Sequence, residues 1–88
     1  MTIVRVNPEQ VGHALREEAM EQVSSAAGEL LLDFSSVARV DADGVRALEE
    51  LARLADVRSV KVALGGVNMD IYKVLKLMKL TGCFTFRN

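Results

Sequence analysis

A continuous apolar run, Leu30-Leu31-Leu32, followed by Asp33 and Phe34, constrains the fold more than any other segment of the sequence. Apolar residues at consecutive strand positions are typical of a central parallel strand that is covered on both faces. About six irregular residues follow, and an amphipathic helix then begins near Ala42. A buried strand, a loop and a helix start in this order place the loop at the carboxyl edge of a sheet, where open α/β folds bind their ligands. We therefore expect the functional residues at 41–45.

The start of this helix carries two carboxylates. Asp41 has the chemistry of an N-cap, because its side chain can accept a hydrogen bond from a free backbone N–H one turn on. Asp43 falls in the first turn, where negative charge suits the helix dipole. Each carboxylate therefore has a structural role that requires no ligand.

The rest of the chain alternates between strand and helix patterns. Short apolar or β-branched runs predict strands, and apolar residues at every third or fourth position predict helices. The predicted strands are 2–6, 30–34, 60–64 and 83–86, and the predicted helices are 7–25, 42–56 and 68–79. Pro8 suits the first turn of the first helix, with Asn7 as its cap, and Gly28 suits the end of that helix.

This alternation predicts an α/β fold, with about four strands in a mostly parallel sheet and about three helices packed on it. Residues 1–88 are long enough for a single domain with one core. An exposed first edge of the sheet would invite pairing with a second chain, which would give a homodimer.

Composition narrows the class of protein. No apolar run approaches the ~18–20 residues that cross a bilayer, and the N-terminus lacks a signal-peptide pattern, so we expect no direct membrane insertion. Cys83 is alone, which fits a reducing compartment and a cytoplasmic protein. Residues 1–44 carry a net charge of −5 and residues 45–88 a net charge of +4. This uneven charge distribution indicates either solvated helix faces or a surface that docks with another protein. With only four aromatic residues and no basic face interleaved with them, the sequence argues against nucleic-acid binding.

Catalytic patterns are weak in this sequence. It has no phosphate-binding glycine loop and no nucleophile elbow, and its single histidine, His13, has no partner at metal-ligand spacing. Asp33, Asp41 and Asp43 could together hold Mg²⁺ through oxygen ligands, but no base, lysine or phosphate cradle accompanies them. We therefore expect no catalytic residue, no cofactor and no metal site, and keep a Mg²⁺-dependent enzyme as the outlying hypothesis.

The central segment also resembles a known family. Leu-Leu-Asp-Phe-Ser-Ser-Val, followed by Val-Asp-Ala-Asp-Gly-Val, resembles the signature of the STAS domain, the fold of sulphate-transporter tails and anti-sigma-factor antagonists. The likeness continues through residues 60–67 and through 71–82, which end in Leu-Thr-Gly, and it spans about 29–86. It implies a STAS-like fold and a non-catalytic, protein-binding module.

The resemblance also implies a role for the helix start. In anti-sigma antagonists, a partner kinase phosphorylates the serine after the motif's aspartate, and the added charge breaks the complex. Here that phosphoacceptor-equivalent position is Ala42, which a serine kinase cannot phosphorylate. Asp43, at the second serine position, is either a built-in phosphate mimic or a first-turn residue that suits the dipole. The predicted partner-binding residues are Asp41, Ala42, Asp43, Gly44, Val45 and Arg46.

Two function classes remain open. The first is an anti-sigma factor antagonist that docks on a serine-kinase anti-sigma factor, in signalling and regulation of transcription. The alternative is the STAS subunit of a lipid-transport ABC transporter complex of the outer-membrane asymmetry type, whose sequences residues 67–72 resemble. That subunit too normally has a hydroxyl residue where Ala42 stands. Lys73, Lys76 and Lys79 form either a solubilising face or a second surface for an acidic partner.

Overall fold

Strands and helices alternate along the part of the chain that the structure, a computed structural model, describes: residues 2–25 and 28–87. The strands are β1 (Thr2–Arg5), β2 (Glu29–Asp33), β3 (Lys61–Gly65) and β4 (Thr85–Arg87). The helices are α1 (residues 11–25), α2 (Ala42–Arg58) and α3 (Met69–Leu77). Helix α1 consists of α-helical Val11–Ala14, a π-helical turn at Leu15–Ala19 and α-helical Met20–Ser25.

The four strands form one sheet in the order β1-β2-β3-β4, and every pair is parallel. This confirms the predicted α/β fold with about four strands and three helices. Because each right-handed crossover moves one strand along in the same direction, all three helices lie on one face of the sheet. Val4, Leu32 and Leu64 share a register row on this face and are buried.

The prediction that β2 is covered on both faces is wrong. Leu30 and Leu32 are fully buried beneath the helices, but Leu31, on the opposite face, is only half-buried. Its neighbour Ile3 on the same face is 63% exposed. The reason is the sequential strand order, which leaves no crossover to cover that second face.

The predicted start of the first helix is also wrong. Pro8 lies in a turn, and α1 begins at Val11. The Asn7 side chain accepts a hydrogen bond from the Glu9 N–H at 2.9 Å, and the Asn7 carbonyl accepts one from Gln10. This local pattern closes a turn instead of capping a helix.

Other boundaries differ by one or two residues. Helix α2 continues to Arg58 and ends at Ser59, whose φ of 55° is left-handed. Helix α3 ends at Leu77, and β4 begins at Thr85, two residues later than predicted. Helix α1 reaches Ser25 as predicted, whereas residues 26 and 27 lie outside the described residues.

The core lies between the sheet and the helix layer. Its largest fully buried side chains come from α1, β2, α2, β3 and α3, together with Val6 just after β1 and Phe34 just after β2. Helix α2 runs beside α1 and contributes Leu48 and Leu51 to this core. Within the described ranges, no helix is both long and apolar enough to cross a membrane.

Candidate partner-docking site

The start of α2 lies at the carboxyl edge of the sheet, as the sequence predicts. Asp41 is its N-cap: Oδ1 accepts a hydrogen bond from the Gly44 N–H at 2.8 Å, and the Asp41 carbonyl accepts from Val45 at 2.9 Å. Its backbone is extended, which is the usual N-cap conformation. The cap fixes the first turn, so the side chains of residues 42, 43 and 46 have defined directions.

The six predicted docking residues divide into an exposed set and a buried set. Asp41, Ala42, Asp43 and Arg46 are exposed, so a partner could contact them directly. Gly44 is buried and Val45 is 7% exposed, because Val45 packs into the core. Gly44 and Val45 therefore anchor the turn to the core, and the other four residues lie on its exposed side.

Gly44 permits this turn because two neighbours approach it closely. A Cβ at this position would lie 2.6 Å from Val40 Cγ1 and 3.3 Å from Val11 Cγ1. The first of these distances is a steric clash, so the loop before α2 and the start of α1 both use the space left by the missing side chain. Gly44 thus allows the loop before α2, the start of α1 and the first turn of α2 to pack closely beneath the exposed residues 41–43.

Arg16 connects α1 to the first and third turns of α2. Its Nη1 donates to both carboxylate oxygens of Asp43 at 3.0 Å, and its Nε donates to Glu50 Oε2 at 3.2 Å. The hydrogen bonds to Asp43 and then to Glu50 raise the pKa of Arg16 above its ordinary value. Among the described residues, Glu50 therefore pairs with Arg16 of α1 and not with Arg46, which lies one turn earlier on its own helix.

Gly12 makes this connection sterically feasible. A Cβ at Gly12 would clash with Asp43 Oδ2 and lie 3.2 Å from Arg16 Nη1. Arg16 itself belongs to the π-helical turn, a feature that often occurs at functional positions. The sequence does not predict a role for Gly12 or Arg16 at the site, because no local sequence pattern indicates a contact between two helices.

Asn68 ties the loop before Asp41 to the start of α3. Its Oδ1 caps α3 by accepting from the Ile71 N–H at 2.9 Å, and its Nδ2 donates to the Ala38 carbonyl at 3.0 Å. The sequence predicts Asn68 only as a helix start. Its second bond joins residues 30 positions apart, which local patterns do not reveal.

The three aspartates of the metal hypothesis have separate partners. Asp33 accepts from the Ser35 N–H at 2.9 Å and lies 3.9 Å from Arg5, Asp41 caps α2, and Asp43 pairs with Arg16. Donation from the Ser35 side chain, then from its backbone N–H, lowers the pKa of Asp33. No group of three or more potential metal ligands occurs within residues 2–25 and 28–87.

Two concavities lie at opposite ends of α2. A cavity of about 210 Å³ beside the N-cap is lined by Pro8, Glu9, Val11, Arg39 and Asp41. A larger groove of about 660 Å³ lies along the C-terminal half of α2 and the start of β3, away from the docking residues. The smaller cavity adjoins the exposed turn at Asp41.

A family model described as "Mlab, STAS domain" matches residues 9–85. The chain belongs to the STAS domain family. No curated protein sequence matches it. This membership accounts for the order of strand, loop and helix start around Asp41.

Solved structures share the fold of this STAS domain. The crystal structure of TM1081 from Thermotoga maritima, described as a proposed anti-sigma factor antagonist, is 17% identical with a TM-score of 0.77. The match covers 98% of this chain and 77% of that one. An NMR structure of TM1081 is likewise 17% identical, with a TM-score of 0.75 and coverage of 98% and 72%.

Proposed function

We propose that this STAS domain is a non-catalytic docking module that binds a serine-kinase anti-sigma factor, as an anti-sigma factor antagonist does. The observation that carries the proposal is the exposed helix start: Ala42 directly follows the N-cap Asp41, at the carboxyl edge of a parallel sheet. The fold shared with TM1081 supports the same class. No catalytic role is proposed, in keeping with the generally non-catalytic character of the family.

In this proposal the docking surface is permanently competent to bind. Ala42 has no hydroxyl, so a serine kinase cannot add charge at the position that relatives phosphorylate. Asp43 does not replace that charge, because Arg16 holds both of its carboxylate oxygens. An ion-paired carboxylate repels an acidic partner less than a free phosphate does. We therefore assign Asp43 to orienting the start of α2 against α1 and not to mimicking phosphate.

A second candidate is the STAS subunit of a lipid-transport ABC complex. It is supported by the likeness of residues 67–72 and by the description of the matching family model, which names Mlab rather than an anti-sigma factor antagonist. In this case the same helix start would contact the transporter's ATPase or permease subunit. Both candidates use one surface, so they differ in the partner and not in the chemistry of the site.

Binding to purified partners from the same genome tests the proposal. The domain is titrated by calorimetry with a serine-kinase anti-sigma factor, and separately with the ATPase and permease of a lipid-transport complex. We expect a complex with the kinase, with or without prior incubation with ATP. Mass spectrometry after that incubation should find no phosphate within 41–44. Binding to the transporter subunits alone would establish the second candidate.

Phosphate on Ser35 or Ser36 would show that regulation has moved into the loop before α2. These are the nearest hydroxyls, and both are exposed. Loss of kinase binding after such phosphorylation would contradict permanent competence while leaving the docking surface in place.

A further inference from the structure

The outward side of α3 exposes apolar and basic side chains together. Leu77 is 81% exposed and Met69 is 67% exposed, and Lys73 lies between them on the same row of the helix. Lys76 and Lys79 are exposed nearby. We call Met69, Lys73, Lys76, Leu77 and Lys79 the α3 face. No lysine of this face belongs to an ion pair with another described residue.

The outward side of α1 has the opposite charge. Glu17, Glu18 and Glu21 are exposed, and within the described ranges none of the three belongs to an ion pair. We call these residues the α1 face. It has three carboxylates, matching the three lysines of the α3 face in number.

The fold places the helices that carry the two faces on opposite sides of α2. Helix α1 connects β1 to β2 and α3 connects β3 to β4, while α2 lies between them on the same face of the sheet. Helix α1 packs against α2 along its length. One molecule therefore cannot bring its own α1 face onto its own α3 face. A second copy can.

We infer that copies of this chain associate head to tail, with the α3 face of one copy against the α1 face of the next. The contact joins two different surfaces, so it is heterologous and builds either closed rings or open chains of copies. Association is therefore progressive with concentration, and it weakens with salt because the paired charges are exposed. It is independent of the docking site at Asp41.

The contact is assigned to the helices and not to continuation of the sheet. The register aligns Arg5 of β1 with Arg87 of β4 across the strands. If β1 of a second copy extended the sheet in the same register, Arg5 would lie beside Arg87, and like charges on neighbouring strands destabilise pairing. Between the α3 face and the α1 face, by contrast, the three lysines meet carboxylates.

The choice of a second copy over a lipid surface follows from the spacing on α3. Lys73 lies in the middle of the row that Met69 and Leu77 form, so inserting this row into a bilayer would bury an ammonium group between two apolar side chains. A protein surface with carboxylates can instead pair Lys73 while Met69 and Leu77 lie against aliphatic side-chain stems. The α1 face supplies three such carboxylates.

A charge-swap experiment tests the inference by sedimentation velocity over a wide concentration range. The lysine-side variant combines Lys73→Glu, Lys76→Glu and Lys79→Glu, and the glutamate-side variant combines Glu17→Lys, Glu18→Lys and Glu21→Lys. We expect each variant alone to associate about tenfold or more weakly than wild type, because attraction becomes repulsion. An equimolar mixture of the two should associate again, because both possible contacts between unlike variants then join opposite charges.

Circular dichroism confirms that each variant is folded, and Leu77→Gln provides a test that leaves the charges unchanged. Leu77→Gln should weaken association, whereas the matched control Val57→Gln, at a side chain that is 78% exposed near the end of α2, should not. A wild-type protein that stays monomeric at low salt would overturn the inference. So would a mixture of the two charge variants that does not associate, or equal effects of Leu77→Gln and Val57→Gln. Binding of the wild type to vesicles of anionic phospholipid in place of self-association would assign the α3 face to a membrane surface.

Discussion

Arg16 Nη1 lies 3.0 Å from each carboxylate oxygen of Asp43, which joins the π-helical turn of α1 to the first turn of α2. The start of α2 is thus held from outside its own helix as well as by its cap. Asp43 is 58% exposed at its side chain, so solvent screens this pair, and its role is to orient the turn more than to stabilise the fold.

Gly12→Ala should abolish the coupling between Arg16 and Asp43. The new Cβ would occupy the space of Asp43 Oδ2, and the carboxylate would have to rotate away from the guanidinium. A double-mutant cycle with Arg16→Ala and Asp43→Ala, measured by urea unfolding at low salt, should give a favourable coupling in wild type and almost none in the Gly12→Ala background. Gly82→Ala is the matched control, since no atom lies within 4 Å of its Cβ. Coupling that survives in the Gly12→Ala background would contradict the geometry.

Two substitutions at Asn68 should separate the stability contributed by its helix cap from that contributed by its hydrogen bond to the Ala38 carbonyl. Asn68→Ala removes both, and should cost about 1–2 kcal/mol, since an N-cap contributes about 1 kcal/mol and a hydrogen bond a similar amount. Asn68→Asp still caps α3 through its oxygen but cannot donate to the Ala38 carbonyl, so it should cost about half as much. Urea unfolding measures both values. If Asn68→Asp is as stable as wild type, the bond to Ala38 contributes nothing.

The fold was largely predictable because its signals are local. The apolar run at 30–32 and the glycines at 65–66 define strands and breaks, and the Asp41 cap defines a helix start. The coverage of β2 was not predictable in this way. An apolar run reports burial, but only the order of the strands decides whether helices lie on one face of the sheet or on two, and Leu31 is half-buried for that reason.

The position of the candidate site was predictable from the sequence. The contacts from other elements that hold it in place were not. The motif order located the turn at Asp41, whereas Arg16 and Asn68 reach it from 27 and 30 positions away along the chain, at Asp43 and Ala38. Gly12 belongs to no sequence motif. A glycine is required there only because α1 packs closely against the start of α2. Such contacts depend on packing between elements, which a single sequence does not display.

Asp33 should make stability depend on pH in the acid range. Hydrogen bonds from Ser35 lower the pKa of Asp33 in the folded protein. The unfolded chain therefore takes up the proton first as the pH falls. The contribution of Asp33 is fully present above the unfolded-state value of about 3.9 and is lost as the pH falls through the folded-state value.

Asp33→Asn should accordingly be less stable than wild type at neutral pH, with the two converging below the folded-state pKa of Asp33. Urea unfolding across this range measures the difference. Asp56→Asn, at an exposed carboxylate near the end of α2, controls for general loss of negative charge. A constant difference between Asp33→Asn and wild type at every pH would show that ionisation of Asp33 does not contribute.

Mg²⁺ should leave the melting temperature almost unchanged. Asp33, Asp41 and Asp43 are each held by a different partner, so binding one ion would require breaking three contacts. A metal at 100 times its dissociation constant would add about 2.7 kcal/mol. At ~4–8 °C per kcal/mol, this is a rise of more than ten degrees. A thermal melt that shows such a rise in millimolar Mg²⁺ would restore the enzyme hypothesis.

Ala42→Glu should weaken partner binding without unfolding the domain. Glutamate is acceptable in the first turn of a helix, where it suits the dipole, and Ala42 is exposed, so the fold has room for the longer side chain. If the partner desolvates this position, an unpaired carboxylate there should cost about 2 kcal/mol or more. Ala42→Ser should bind as wild type does and regain a phosphoacceptor.

The comparison uses calorimetric titration with the serine-kinase anti-sigma factor, with circular dichroism to confirm folding. Val57→Glu is the charge-matched control, because it adds the same carboxylate to an exposed position at the far end of the same helix. Incubation with the kinase and ATP should abolish binding of Ala42→Ser and leave wild type unaffected, since only the serine can accept phosphate. If Ala42→Glu binds as tightly as wild type, the partner surface lies away from the start of α2, and the α3 face becomes the next surface to test.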